Sequence, residues 1–266
     1  MENLVFIKLG GSLITDKAKP FTEKGDAIKR LAREIHEARK ESGVKIILGH
    51  GGGSYPHKPA HDYQIHKGVK GKESYKGMAL VQDAASRLNR IVVEALIEAG
   101  ENAVTVQPSS CTVADKGRIV EFYTKSIEMI LEYDMLPVVY GDLGFDKSQG
   151  SCILSTEEIL RFLAGKFKPD KIIMAGKTDG VFTADPNKNS GVKPVPVVSS
   201  KNIEEVRGYL EKSDGIDVTG GMVVKVNSML ELADKGTDTQ IINGNTAGNL
   251  KQALLGKEVK GTLITK

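Results

Sequence analysis

The chain has 266 residues, 40% of them hydrophobic, which is enough for one large domain or two closely fused lobes with a substantial core. Its 37 basic and 34 acidic side chains leave a net charge of only +3, so the balance argues against nucleic acid as a partner and makes any anion site a local one. Two cysteines, Cys111 and Cys152, are too few for a disulfide framework, a zinc site or a redox pair, and no apolar run approaches the roughly 18 residues that a membrane span requires.

The first predicted strand covers residues 4–9, with no basic and apolar leader ahead of it, so the expected location is cytoplasmic. It closes on Lys8-Leu9-Gly10-Gly11-Ser12. A buried strand ending in glycines presents bare backbone N–H groups, and the lysine adds a fixed charge beside them, which is the chemistry of a phosphate cradle. A helix with Ile28, Leu31, Ala32, Ile35 and Ala38 on one face follows and stops at Gly43. The second strand, 45–48, runs into Gly49-His50-Gly51-Gly52-Gly53-Ser54, a second cradle of the same design. Two cradles imply two phosphate groups and hence phosphoryl transfer.

A long helix through Leu80, Ala84, Leu88, Ile91, Val92, Ala95 and Leu96 closes at Gly100. Strands are predicted at 103–106 and 136–140, with a hairpin-like excursion at 116–122 between them. Gly141-Asp142 follows, then a turn at 146–151 that forms a seam between an amino-terminal lobe, 1–146, and a carboxyl-terminal lobe, 147–266. Ser155-Thr156-Glu157-Glu158 opens a helix as cap and acidic first turn. Strands at 171–174, 239–242 and 261–265 complete the chain, with an irregular loop at 185–196. The alternation of strands and helices predicts an α/β fold, a largely parallel sheet covered on both faces in three αβα layers. Ligands in such sheets bind beyond the carboxyl ends of the strands, where both glycine turns fall.

Neither turn fits the Walker spacing, and no Gly-x-Gly-x-x-Gly is followed by a protein-kinase catalytic loop. Four segments in order do resemble the amino acid kinase superfamily. They are Lys8-Leu9-Gly10-Gly11-Ser12, Pro137-Val138-Val139-Tyr140-Gly141-Asp142, Thr178-Asp179-Gly180-Val181-Phe182-Thr183-Ala184-Asp185-Pro186, and Asp217-Val218-Thr219-Gly220-Gly221-Met222 with Lys225. Within that superfamily, Gly51-Gly52-Gly53-Ser54-Tyr55-Pro56-His57 is similar to the isopentenyl phosphate kinases, with the fosfomycin kinases sharing a histidine at this place. Both act on an anionic phosphorus group, for which an imidazole N–H is a suitable donor.

The resemblance implies ATP as donor with Mg²⁺, a small phosphate such as isopentenyl phosphate as acceptor, and a homodimer paired through amino-terminal helices. It implies that Lys8 bridges the transferring phosphoryl group, that Lys17 binds the donor's terminal phosphate and that His57 binds the acceptor. Gly10, Gly11, Ser12, Gly52, Gly53 and Gly141 would supply amides, while Asp142 and Asp179 would order cations or lysines. Asp179, Gly180, Gly220, Gly221 and Lys225 would hold the nucleotide with Lys8, Gly10 and Lys17. No dedicated metal cage of protein ligands is expected, because phosphate oxygens carry most of the coordination of Mg²⁺. Two departures are visible: Lys177 stands where the family usually has aspartate, and Pro56 directly precedes His57. The alternatives are another small phosphate or phosphonate kinase, or a non-catalytic nucleotide sensor. Residue by residue, Lys17 can also be read as a solvated loop lysine, His50 as a support for its turn, and the run Lys67, Lys70, Lys72, Lys76 as a solvated face or a phosphate-attracting lid.

Overall fold

The computed structural model describes residues 3–184, 189, 191–213 and 221–266, without the side chains of 211–213, 221, 222, 224 and 225. The first half runs β1 (Leu4–Leu9), α1 (Gly11–Ile14), α2 (Gly25–Ser42), β2 (Lys45–His50), α3 (His57–Asp62), a 3₁₀ turn (Ile65–Lys67), α4 (Lys72–Glu98), β3 (Ala103–Thr105), α5 (Pro108–Cys111), β4 (Thr112–Asp115), β5 (Arg118–Phe122), α6 (Lys125–Glu132), β6 (Leu136–Tyr140), β7 (Asp142–Asp146) and β8 (Gly150–Leu154). The second half runs α7 (Thr156–Phe167), β9 (Lys171–Gly176), β10 (Val181–Phe182), β11 (Pro194–Val195), β12 (Val197–Val198), α8 (Ile203–Ser213), α9 (Gly221–Ala233), β13 (Asp238–Asn243), α10 (Asn249–Leu254) and β14 (Gly261–Ile264).

One sheet of eight strands, in the order β12-β14-β13-β9-β1-β2-β6-β3, passes through the whole molecule. Its neighbours are parallel except at β13–β14. The period-2 alternation of β1 explains the layering: Leu4 and Phe6 face one core with Ile159, Leu160 and Leu163 of α7, whereas Val5, Ile7 and Leu9 face another with Leu31 and Ile35 of α2 and Leu88 and Val92 of α4. Each fully buried side chain of this kind contributes about 2 kcal/mol over its exposed state, so both faces must be covered. The result is the three-layer αβα arrangement that the alternation predicts.

The predicted strand cores are all present, and β2, β9 and β13 each extend by one or two residues toward the glycine turns. What the sequence reading lacked is a side sheet, β5-β4-β7-β8, of which only the 116–122 excursion was foreseen. Its strands are short and exposed on one face, with Phe145 and Ile153 outward, so they carry little apolar periodicity. The turn at 146–151 is the hairpin joining β7 to β8. Asp146 fastens it by accepting from the N–H groups of Lys116, Gly117, Ser148 and Gln149. The sheet itself is continuous across β1 and β9. Gly43 ends α2 at φ +65, as its place in the sequence predicts. No helix among the described residues is long and apolar enough to cross a membrane.

Candidate active site

Five parallel strands end level, and four of them pass directly into glycine. Leu9 pairs with both His50 and Ala175, His50 with Tyr140, and Gly176 with Asn243. The ladder then continues one residue into the turns: Gly10 N–H donates to Ala175 O (2.9 Å), Gly51 N–H to Leu9 O (2.9 Å), Gly141 N–H to His50 O (3.0 Å) and Gly244 N–H to Gly176 O (2.8 Å). The backbones then abut. A Cβ on Gly11 would lie 2.4 Å from the nitrogen of Gly53, one on Gly51 would lie 2.8 Å from the nitrogen of Gly11, and one on Gly52 would lie 2.3 Å from Pro56. Only glycine permits this approach, so the two cradles read from the sequence form one continuous surface.

Thr15 and Ser54 lock the junction. The Thr15 hydroxyl donates to Gly11 O (2.8 Å) and accepts from Ser54 N–H (3.0 Å). The N–H groups of Gly11, Ser12, Gly52 and Gly53 are left without a protein acceptor among the described residues. Four such donors on adjoining turns form a nest for phosphate oxygens.

Lys8 has the parity of Leu4 and Phe6 along β1 and therefore points to the α7 face. There its ammonium pairs with Glu157 in the first turn of α7 at 3.0 Å, with both side chains largely buried. Ser155 caps the same helix, accepting from Glu158 N–H at 3.1 Å, and Thr156 donates to His50 O at 2.7 Å. Gly49 lies under Thr156, where a Cβ would come within 2.6 Å of its methyl, so the positive end of α7 abuts the second glycine turn. Glu157 was read only as part of a helix cap. The available signal was that a lysine at the end of a buried strand requires a counter-ion.

His50 is fully buried. Its Nδ1 lies 3.2 Å from Gly51 O and its Nε2 3.1 Å from the Asn89 amide, whose oxygen accepts from Thr105 at 2.7 Å, while Tyr140 stacks on the ring at 5.6 Å. Burial, with the nearby charge of Lys8, pushes its pKa down to about 4. It is a neutral support for the turn, with Nδ1–H donating and Nε2 accepting.

His57 starts α3 directly after Pro56, exposed beyond the second turn. Lys17 is exposed in the loop between α1 and α2. Asp142 is buried; Oδ2 accepts from Ser109 N–H (3.0 Å) and Oδ1 from Leu143 N–H (2.8 Å). Burial raises its carboxyl above the usual range against these bonds, which tie β7 to the start of α5. Asp179 accepts from the Asn243 amide (2.9 Å) and pairs with Lys260 (2.9 Å), whose charge holds it below the ordinary carboxylate range. Gly180, at φ +112, faces the Thr262 hydroxyl so closely that a Cβ would lie 2.3 Å away. Lys177 is exposed. Gly221 begins α9, whereas Gly220 and the Lys225 side chain lie outside the described residues. The structure thus gathers Lys8, Gly10, Gly11, Ser12, Gly52, Gly53 and Gly141 at one rim, with Asp179 and Gly180 beyond the end of neighbouring β9.

A nest of free amides at the ends of parallel strands, with a paired lysine on one of those strands, defines a phosphate-handling protein. Residues 3–243 match the amino acid kinase family, and the chain belongs to that family. It is 36% identical to isopentenyl phosphate kinase of Methanothermobacter thermautotrophicus, covering 98% of this chain and 99% of that protein, and 36% identical to the one of Methanocaldococcus jannaschii, covering 98% of each. A solved isopentenyl phosphate kinase, 33% identical, superposes with a TM-score of 0.85 over 98% of this chain and 100% of its own. Carbamate kinase from Giardia lamblia, at 18% identity and a TM-score of 0.72, shares the fold.

Proposed function

We infer that the protein is an isopentenyl phosphate kinase, transferring the γ-phosphoryl group of ATP to isopentenyl phosphate to give isopentenyl diphosphate and ADP. The observation that carries this is the single glycine nest beside Lys8 in a chain that matches isopentenyl phosphate kinases from end to end. An oxygen of the acceptor phosphate forms the new bond to the γ-phosphorus as the bond to the β–γ bridging oxygen breaks, and that oxygen leaves on ADP. Both reactants are anions, so the protein must bring them in line and offset their charge.

Lys8 does the second of these, its ammonium kept at the end of β1 by Glu157. The free N–H groups of Gly11, Ser12, Gly52 and Gly53 address the phosphates, whereas those of Gly10 and Gly141, expected to do the same, are spent in the sheet ladder and place the turns instead, and the contact between the turns fixes the distance of approach. His57, exposed beside the second turn, donates to the acceptor phosphate, and Lys17 reaches the donor's terminal phosphate from its loop. Asp179, Gly180, Gly220, Gly221 and Lys225 hold the nucleotide, so residues 1–146 serve the acceptor and 147–266 serve ATP. Mg²⁺ carried by the nucleotide would be held mainly by phosphate oxygens and would offset their charge. The enzyme works in the cytoplasm as a homodimer.

The test is ADP release from Mg-ATP with isopentenyl phosphate, dimethylallyl phosphate, fosfomycin, UMP, carbamate, glutamate, N-acetylglutamate and aspartate. Turnover is expected with isopentenyl phosphate or its isomer, and His57→Ala is expected to lower kcat/KM by about a hundredfold through lost acceptor binding. Turnover with fosfomycin alone would move the chain to the phosphonate kinases. ATP binding with silence on every acceptor would make it a nucleotide sensor.

A further inference from the structure

The loop that carries Lys17 is a closed unit. An antiparallel bridge between Thr15 and Glu23 forms its base, Asp16 N–H donates to Thr22 O (2.9 Å), and at its tip Lys19 N–H and Ala18 N–H donate to Asp16 at 3.2 and 3.0 Å. Beyond itself, it docks on the second glycine turn. Phe21 N–H donates to Ser54 O (3.3 Å) and Thr22 N–H to Ser54 Oγ (3.2 Å), while that hydroxyl donates back to Thr22 O (3.3 Å). The next residue, Tyr55, is buried and donates its phenol to Glu23 at 2.5 Å. The Phe21 ring meets that of Tyr55 edge-on, with centroids 5.7 Å apart.

Phe21 sits at φ +50, a left-handed conformation that a bulky L-residue adopts only when its surroundings hold it. Here the surroundings are Ser54 and Tyr55, three and two residues before His57. The bond holds in one sense: burial raises the phenol's pKa, keeping it a donor, and that bond keeps Glu23 below its ordinary range, an acceptor.

We propose that Ser54, Tyr55, Glu23 and Phe21 form a latch that positions the Lys17 loop on the acceptor turn, fixing the separation of the donor-side cation from the acceptor during transfer. The proposal rests on the role given above to Lys17. Tyr55 is then a positioning residue: its hydroxyl meets neither substrate, and its effect passes through Lys17. Transfer in line is sensitive to misplacement on the ångström scale, so loosening the loop should lower kcat and leave acceptor binding largely intact.

The test compares Tyr55→Phe, which removes one oxygen and retains the ring, in the full chain with and without Lys17→Ala. The expected result is a kcat about tenfold lower with both KM values within about twofold, and less than a further twofold loss when Tyr55→Phe is added to Lys17→Ala. Glu23→Gln, which keeps an acceptor oxygen, should retain more activity than Glu23→Ala. If Tyr55→Phe leaves kcat unchanged, or lowers it equally in the Lys17→Ala background, the latch is overturned while Lys17 keeps its role. Full activity of Lys17→Ala would overturn that role and the latch together. Thermal midpoints of the parent and all five variants show whether a loss of kcat is merely a loss of fold.

Discussion

Lys8 illustrates how one side chain acquires a function from its parity along a strand. Even positions of β1 face α7, and the first turn of that helix supplies Glu157 at 3.0 Å. The pair stores the lysine at the rim without leaving a buried charge uncompensated. Lys8→Ala is expected to lower kcat by about 10²- to 10³-fold, the scale of a lost transition-state donor, and also to lower stability, because the largely buried Glu157 loses its lysine. Glu157→Gln should cost about tenfold, because the lysine is kept but held less firmly. Steady-state kinetics on both variants checks the order, and a Glu157→Gln enzyme as impaired as Lys8→Ala would show that the carboxylate does more than position.

His50 makes a different prediction. Its pKa is about 4 in the fold against an ordinary 6.5, so the unfolded chain takes up a proton first as pH falls. Stability from this group is present above pH 6.5 and is lost on the way down to about pH 4, roughly 3 kcal/mol in all. Denaturant titrations at pH 7 and pH 4.5 should show a smaller fall for His50→Asn than for the parent. Equal falls would mean that the ring is not held neutral.

At the scale of elements, the glycine turns depend on close backbone approach. Gly11→Ala would place a methyl 2.4 Å from a backbone nitrogen of the facing turn, which cannot swing aside. The expected outcome is destabilisation of about 1–3 kcal/mol and a larger loss of activity, as the two turns are forced apart. Gly25→Ala, at the open start of α2 where a Cβ meets nothing within 4 Å, is the matched control and should be neutral or slightly stabilising. Chemical denaturation separates them.

The strand cores and both turns were legible in the sequence because buried parallel strands are continuous apolar runs and glycine clusters are conspicuous. That the turns touch was not, since no local pattern reports the distance between residues 11 and 53. Asp142 shows the same limit from the other side. An aspartate after a strand can cap a turn or serve a site, and only the structure assigns its oxygens to Ser109 and Leu143. Tyr55 and Glu23, 32 residues apart, likewise carry no mark of their pairing.

At the scale of the molecule, one sheet joins the halves, so the glycine turns and the ends of β9 and β13 share a frame. Glu34 of α2 adds a stitch, accepting N–H groups from Gly248, Leu250 and Lys251 at 3.1–3.2 Å while pairing with Arg30, which in turn donates to Gly244 O at 2.6 Å. The parallel sheet was readable from the alternation of elements, whereas the side sheet was not, because its strands are short, nor was this stitch, because its contacts span more than 200 residues. A homodimer predicts twice the chain mass by light scattering, and a monomeric mass would remove that part of the account.

The proposed chemistry is transfer of a phosphoryl group between two anions across one glycine nest. The most direct measurement follows label from [γ-³²P]ATP with isopentenyl phosphate as sole acceptor. The label is expected in isopentenyl diphosphate at the rate of ADP formation, and this transfer is expected to be lost in Lys8→Ala. Label found only in inorganic phosphate, or transfer unaffected by Lys8→Ala, would contradict it.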